Sequence, residues 1–89
     1  MFVSKNYILK EVAGNKIVVP VGSTSIDFNS IIYLNEVGAF IFHLLQEKNL
    51  TLDEIVSEIC KEYEVEKTNA YKDAQEFCNK LQEQHILSL

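Results

Sequence analysis

The spacing of the hydrophobic residues changes once along the chain, near Asn35, and this change limits the possible folds more than any other feature. Before it, β-branched and aromatic runs at Tyr7–Val12, Lys16–Val21 and Ser30–Leu34 predict three short strands. After it, apolar residues recur every three or four positions, which predicts amphipathic helices. Strands followed by helices are typical of an α+β domain.

The first two predicted strands are separated only by Ala13-Gly14-Asn15. Gly14 and Asn15 tolerate the positive φ angles of a tight turn, so this segment predicts a β-hairpin. Pro20 cannot donate a hydrogen bond to a neighbouring strand. We therefore expect it at a sheet edge or at the end of the second strand.

Three helices are predicted after the change of period. Asn35 would cap the first, and Thr51 with Glu54 forms a capping box for the second. The third is predicted over Lys67–Gln84, with Ile86 and Leu87 packing back after it. The apolar stripe of the first helix consists of Val37, Phe40, Ile41, Leu44 and Leu45.

The predicted order is that of a winged-helix-like α+β fold, a three-stranded antiparallel sheet followed by three α-helices, in a single domain over residues 1–89. A chain of 89 residues builds one thin core, which leaves little room for an enclosed cofactor cavity. No apolar run reaches the ~18 residues that a bilayer span requires. We expect a cytoplasmic protein that does not bind a membrane.

No pattern of catalytic residues is visible in the sequence. His43 and His85 are the only histidines, and neither lies in a recognisable motif. Cys60 and Cys78 lie on apolar stripes without C-x-x-C spacing, so both are predicted to be reduced cysteines of the core. We expect no catalytic residue, no metal ligand and no cofactor, and therefore a protein that is not an enzyme.

The predicted fold is shared with winged helix-turn-helix regulators, but the charge pattern argues against nucleic acid as a partner. From Asn35 onward, five lysines stand against eleven acidic residues, and the whole chain lacks arginine. Specific duplex binding usually uses several basic contacts to phosphate. Two alternative functions are kept. One is a winged-helix transcription regulator, and the other is a structural subunit whose apolar sheet edge is covered by a partner or by a second copy in a homodimer.

Recognition of a peptide by strand addition fits these features better. In the third predicted strand, Ile32 and Leu34 would point one way and Ile31 and Tyr33 the other. The third helix would form the opposite wall of a groove. The predicted peptide-binding residues are Ser30, Ile31, Ile32, Tyr33, Leu34, Tyr71, Ala74, Gln75 and Cys78. The alternative is that Ile31, Tyr33, Tyr71 and Cys78 simply complete the core.

Segments along nearly the whole chain resemble the PqqD family, whose members act in pyrroloquinoline quinone biosynthesis and in related peptide-modifying pathways. The resemblance rests on matching segments in the same order. These are Glu11–Gly14, Val18–Pro20 with Gly22, Leu34–Phe42, Thr51-x-x-Glu54-Ile55-Val56, Tyr63-x-Val65, and Asp73 with Phe77 and Leu81. It implies a RiPP recognition element, a chaperone that binds the leader of a precursor peptide. The leader would be held beside the third strand, against the third helix, and presented to an enzyme such as a radical SAM protein.

The sequence differs from the family pattern at three places. Phe42 stands where Trp is expected, Glu47-Lys48-Asn49 replaces an acidic-Gly turn, and His85 replaces the glycine that ends the last helix. Without that glycine the left-handed cap is less favourable, so we expect residues 86–89 to be less firmly held.

Overall fold

The computed structural model describes residues 1–22 and 32–88. The strands are β1 (Phe2–Val3), β2 (Tyr7–Val12), β3 (Asn15–Pro20), β4 (Ile32–Leu34) and β5 (Leu87–Ser88), and the helices are α1 (Glu36–Glu47), α2 (Leu52–Glu62) and α3 (Lys67–Glu83). An antiparallel sheet has the strand order β2-β3-β4, and a two-stranded sheet joins β1 to β5. The predicted α+β fold, with a three-stranded antiparallel sheet followed by three helices, is confirmed. No helix in these described ranges is long and apolar enough to cross a membrane.

The hairpin between β2 and β3 turns through two residues, because Val12 pairs directly with Asn15. Ala13 and Gly14 have φ angles of 52° and 81°. Positive φ at both central residues is typical of a type I′ turn, whose backbone matches the twist of the strands. The prediction was therefore right for Gly14 and wrong for Asn15, which belongs to β3. Pro20 ends β3, as one of the two predicted alternatives required.

The core lies between the three helices and one face of the larger sheet. Its largest fully buried side chains are Phe42, Ile41, Leu45, Ile55, Ile59, Leu81 and Val56. Val18, Ile32 and Leu34 cover this core from the sheet side. Such burial stabilises the domain by about 1.5–3 kcal/mol for each large apolar side chain.

Both predicted helix caps are present. The Asn35 side-chain oxygen accepts a hydrogen bond from the Gly38 amide at 2.7 Å. At the start of α2, Thr51 and Glu54 exchange reciprocal hydrogen bonds of 3.0 and 3.2 Å. The bond from the Thr51 amide is the main reason that the pKa of Glu54 is lowered. Sequence spacing therefore located both helix starts correctly.

One predicted core cysteine is not in the core. Cys60, on α2, is exposed, whereas Cys78, on α3, is buried. The buried face of α2 is formed by Ile55, Val56 and Ile59. Cys60 follows Ile59 by one position, about 100° further around the helix, and so turns toward solvent.

The end of α3 is held more firmly than the sequence suggested. His85 itself adopts the left-handed conformation, with φ of 60°. The Ile86 amide donates to the Leu81 carbonyl at 2.9 Å and the His85 amide donates to the Gln82 carbonyl at 3.0 Å, which is a Schellman motif. Ile86 and Leu87 are buried, which confirms that they pack back after α3, and Leu87 pairs with β1. The expectation of a loosely held segment is therefore wrong for residues 86–88; residue 89 lies outside the described part of the chain.

Replacing His85 with glycine should raise the free energy of unfolding by about 0.5–1 kcal/mol. A side chain in the left-handed region costs about 1–2 kcal/mol, and the greater freedom of glycine in the unfolded chain offsets part of the gain. Urea unfolding followed by circular dichroism measures the change. The control Gln82→Gly, inside α3, should instead lower stability by about 1 kcal/mol. A His85→Gly variant no more stable than the parent would contradict the proposed strain.

Candidate peptide-binding edge and cleft

β4 lies at the margin of the larger sheet. It pairs with β3 on one side only, through Lys16 with Leu34, Ile17 with Tyr33 and Val18 with Ile32. Among residues 1–22 and 32–88, no strand pairs with its other side. An unpaired edge presents backbone donors and acceptors that can bind an extended chain.

The register identifies the residue of β4 whose backbone faces outward. The two-residue turn is closed by a hydrogen-bonded pair, Val12 and Asn15. Hydrogen-bonded and non-hydrogen-bonded pairs then alternate along each antiparallel ladder. Successive residues of β3 therefore face β2 and β4 in turn, so that Ile32 and Leu34 exchange hydrogen bonds with β3. The N–H and C=O of Tyr33 consequently point to the outer side of the sheet.

The side chains of β4 alternate as the sequence predicted. Ile32 and Leu34 are each only 9% exposed and face the core, whereas Tyr33 is 63% exposed. This confirms the predicted alternation for these three residues and places Tyr33 on the surface, not in the core. Ser30 and Ile31, also predicted to bind peptide, lie outside the described residues.

A cleft of about 170 Å³ lies between β4, the start of α1 and α3. Its apolar lining comes from Leu34, Val37, Ile41 and Phe77. Charged side chains of α3 complete the lining, and the full set is Tyr33, Leu34, Asn35, Val37, Gly38, Ile41, Asp73, Glu76, Phe77 and Lys80. A peptide strand added to β4 would therefore run beside a partly apolar, partly charged cleft.

Gly38 sets the distance between α1 and α3 at this cleft. A Cβ atom at Gly38 would lie 3.2 Å from the Phe77 ring and 3.2 Å from the Asn35 side-chain oxygen. Both contacts are tighter than ordinary van der Waals contact. The absence of a side chain thus allows the half-buried Phe77 ring to pack against the first turn of α1.

The α3 residues that line the cleft are not the predicted ones. Ala74 is 0% exposed and Cys78 is 3% exposed, so both belong to the core and do not line an open channel. Tyr71 is exposed but lies two positions from Asp73, about 160° away around the helix. Gln75 also lies on that flank, where its amide donates to Asn79 at 3.1 Å. The predicted open channel at Ala74 and Cys78 is therefore wrong, while contact of Tyr71 and Gln75 with a peptide stays a prediction.

The stripe that faces the cleft has its own helical spacing. Asp73, Glu76, Phe77 and Lys80 follow one another at intervals of three, one and three residues, which places them on one side of α3. This spacing is visible in the sequence. The buried stripe of α3 is bordered by two exposed flanks, however, and the sequence does not indicate which flank faces β4.

The burial of Cys78 gives a direct chemical test. Burial raises the pKa of the Cys78 thiol, and the thiolate is the reactive form. We expect a thiol reagent such as Ellman's reagent at pH 8 to modify one cysteine, Cys60, rapidly and the second only in denaturant. The Cys60→Ser variant should show no rapid reaction. Two rapidly reacting thiols in the folded protein would contradict the position of Cys78.

Together, the fold and this site define a class of small α+β domains in which an edge strand lies beside a cleft lined by the last long helix. The family model for Coenzyme PQQ synthesis protein D (PqqD) matches residues 7–87, and the chain belongs to this family. The resemblance inferred from the sequence is thereby confirmed.

Comparison with solved structures supports the same fold. A structure described as TbiB1 in complex with the TbiA(beta) leader peptide matches with a TM-score of 0.70 and 24% sequence identity. The match covers 99% of this chain and 95% of the other. The comparison with curated proteins gives no significant match.

Proposed function

We propose that this protein is a non-catalytic peptide chaperone that binds the leader of a ribosomally synthesised precursor peptide by strand addition to β4. The single observation that carries the proposal is the outward-facing backbone of Tyr33 beside the cleft between β4 and α3. Membership in the PqqD family supports it. The described structural neighbour is itself bound to a leader peptide, which is consistent with the same role here.

The proposed site consists of the β4 backbone and the cleft stripe of α3. Pairing with Tyr33 would fix the register of the peptide, since its N–H and C=O face outward. Peptide residues next to the paired one would point toward the helices, as Ile32 and Leu34 do. The apolar surface of Phe77 and Val37 would then receive an apolar peptide side chain.

The partner in the next step would be a peptide-modifying enzyme, and we propose a radical SAM protein in a cytoplasmic pathway. The chaperone would hold the leader while the enzyme acts on the rest of the precursor. A genomic observation checks this part: the gene should lie beside a short precursor gene and a radical SAM enzyme gene. A different modifying enzyme there would overturn the radical SAM assignment alone.

The binding test uses isotope-labelled protein and synthetic leaders from short precursor genes beside its own. We expect saturable changes in the amide signals of Tyr33 and its cleft neighbours on titration. No saturable binding of any leader would contradict the proposal. A genomic duplex of equal concentration serves as the control ligand, and salt-sensitive duplex binding in place of peptide binding would favour the winged-helix regulator.

The open edge could also accept a second copy of the chain, since β4 presents the same backbone groups in each copy. Light scattering at several protein concentrations, with and without leader, measures the molar mass and so distinguishes self-association at β4 from leader binding there. We expect any homodimer that uses β4 to dissociate when the leader binds. A dimer that persists in the bound state would use another surface.

A further inference from the structure

We infer that the cleft selects a peptide in which a lysine or arginine lies two positions from the apolar residue that enters the cleft. This inference rests on the proposed function and specifies its ligand. It follows from the charges along the α3 side of the cleft and from the spacing of side chains in an extended strand.

The charged side chains that line the cleft carry a net negative charge. Asp73 and Glu76 stand against Lys80, and all three side chains are exposed. The ion pair found among residues 1–22 and 32–88 joins Lys61 to Glu58 on α2, at 3.5 Å. Among the described residues, no basic side chain therefore lies within salt-bridge distance of Asp73 or Glu76. A basic side chain of the peptide could pair with either carboxylate.

The positions along α3 match the spacing of a strand. Phe77 and Asp73 are four residues apart, which is about 6 Å along a helix axis. Side chains on one face of an extended peptide lie about 6.6–6.8 Å apart, because alternate residues share a face. In a peptide that runs along α3, an apolar side chain against Phe77 would bring the next inward side chain beside Asp73. Glu76, one residue before Phe77, lies between these two positions on the same flank.

The outward peptide residue between them would pair with Tyr33 and share the exposed face of its side chain. The cleft does not contact that face, so it does not restrict which residue stands at this position of the peptide. The selected sequence is therefore apolar, any residue, basic, read in either chain direction. This pattern distinguishes the ligand from an apolar strand that would bind any open sheet edge.

The test measures anisotropy of a fluorescent leader peptide that binds the parent protein. Neutralising the acidic pair in the Asp73→Asn, Glu76→Gln double variant should weaken binding about three- to tenfold in 0.1 M salt, since exposed ion pairs are weak individually. The loss should shrink in 0.5 M salt because screening already weakens the pairs. The matched control Glu62→Gln, Glu64→Gln removes two negative charges from exposed positions outside the cleft lining and should leave the affinity unchanged.

Peptide variants complete the cycle. Changing the basic residue of the leader to glutamine should weaken binding to the parent protein by the same factor, and should have no effect on the double variant. Equal affinity of the parent and double variants, or a bound leader without a basic residue at that spacing, overturns the inference while leaving the proposed function intact. Failure of every leader to bind the parent protein overturns the proposed function, and the inference falls with it.

Discussion

Replacing Tyr33 with proline should weaken leader binding at least tenfold while the domain stays folded. Proline removes the N–H that points away from the sheet and puts a ring where the incoming strand would lie. Proline is tolerated on edge strands when its missing N–H would have faced outward. A lost hydrogen bond alone is worth about 0.5–1.5 kcal/mol, and the steric conflict adds to it. Titration with labelled leader, alongside urea unfolding, measures both effects.

Two further variants separate the backbone from the side chain. Tyr33→Val removes the aromatic ring but keeps the N–H, so it should retain most of the affinity. Ile32→Pro removes a donor to β3 at a buried position and should destabilise the domain itself. If Tyr33→Pro stays folded and binds the leader as the parent does, strand addition at β4 is wrong.

Replacing Phe42 with alanine should destabilise the domain by about 3–5 kcal/mol, the usual cost of deleting a fully buried phenylalanine ring. Phe42 is 0% exposed and lies among the residues that join the helices to the sheet. Small domains have total stabilities of about 5–15 kcal/mol, so this loss is a large fraction of the whole. Chemical denaturation followed by circular dichroism gives the change directly.

The matched control deletes an equal side chain at the surface. Phe2 is 40% exposed, and Phe2→Ala should cost about 1 kcal/mol or less, because less area leaves water on folding. Similar losses for the two variants would show that Phe42 is not the centre of the core. The phenylalanine at this position, where the family pattern led us to expect tryptophan, is fully enclosed.

The local elements were predictable because their signals are local. The capping residues Asn35 and Thr51 lie where the helices start, since a cap depends on a side chain within three residues of the amides it serves. The alternation of Ile32, Tyr33 and Leu34 follows from the period of a strand alone. The strand side of the candidate site was therefore visible in the described residues of β4.

The helix side of the site was not predictable in the same way. The sequence placed Ala74 and Cys78 on an apolar stripe of α3. In the structure this stripe packs against the rest of the core and both residues are buried. Which flank of that stripe faces β4 depends on how α3 crosses the sheet. That crossing is fixed by packing of α3 mainly against α2 and, at Phe77 and Gly38, against α1.

Periodicity, capping and motif spacing are properties of neighbouring residues, so they were enough to predict the order of β2, β3, β4 and the three helices, the alternation along β4 and the family. The sheet that joins β1 to β5 was not predicted, because it pairs residues from opposite ends of the chain. Packing between the helices and the sheet places Asp73, Glu76, Phe77 and Lys80 along the cleft and turns Cys60 toward solvent. Tertiary structure also decided that His85 ends α3 in a strained conformation, because burial of Ile86 and pairing of Leu87 with β1 outweigh the local cost. Contacts between distant segments set these features, and no local pattern encodes them.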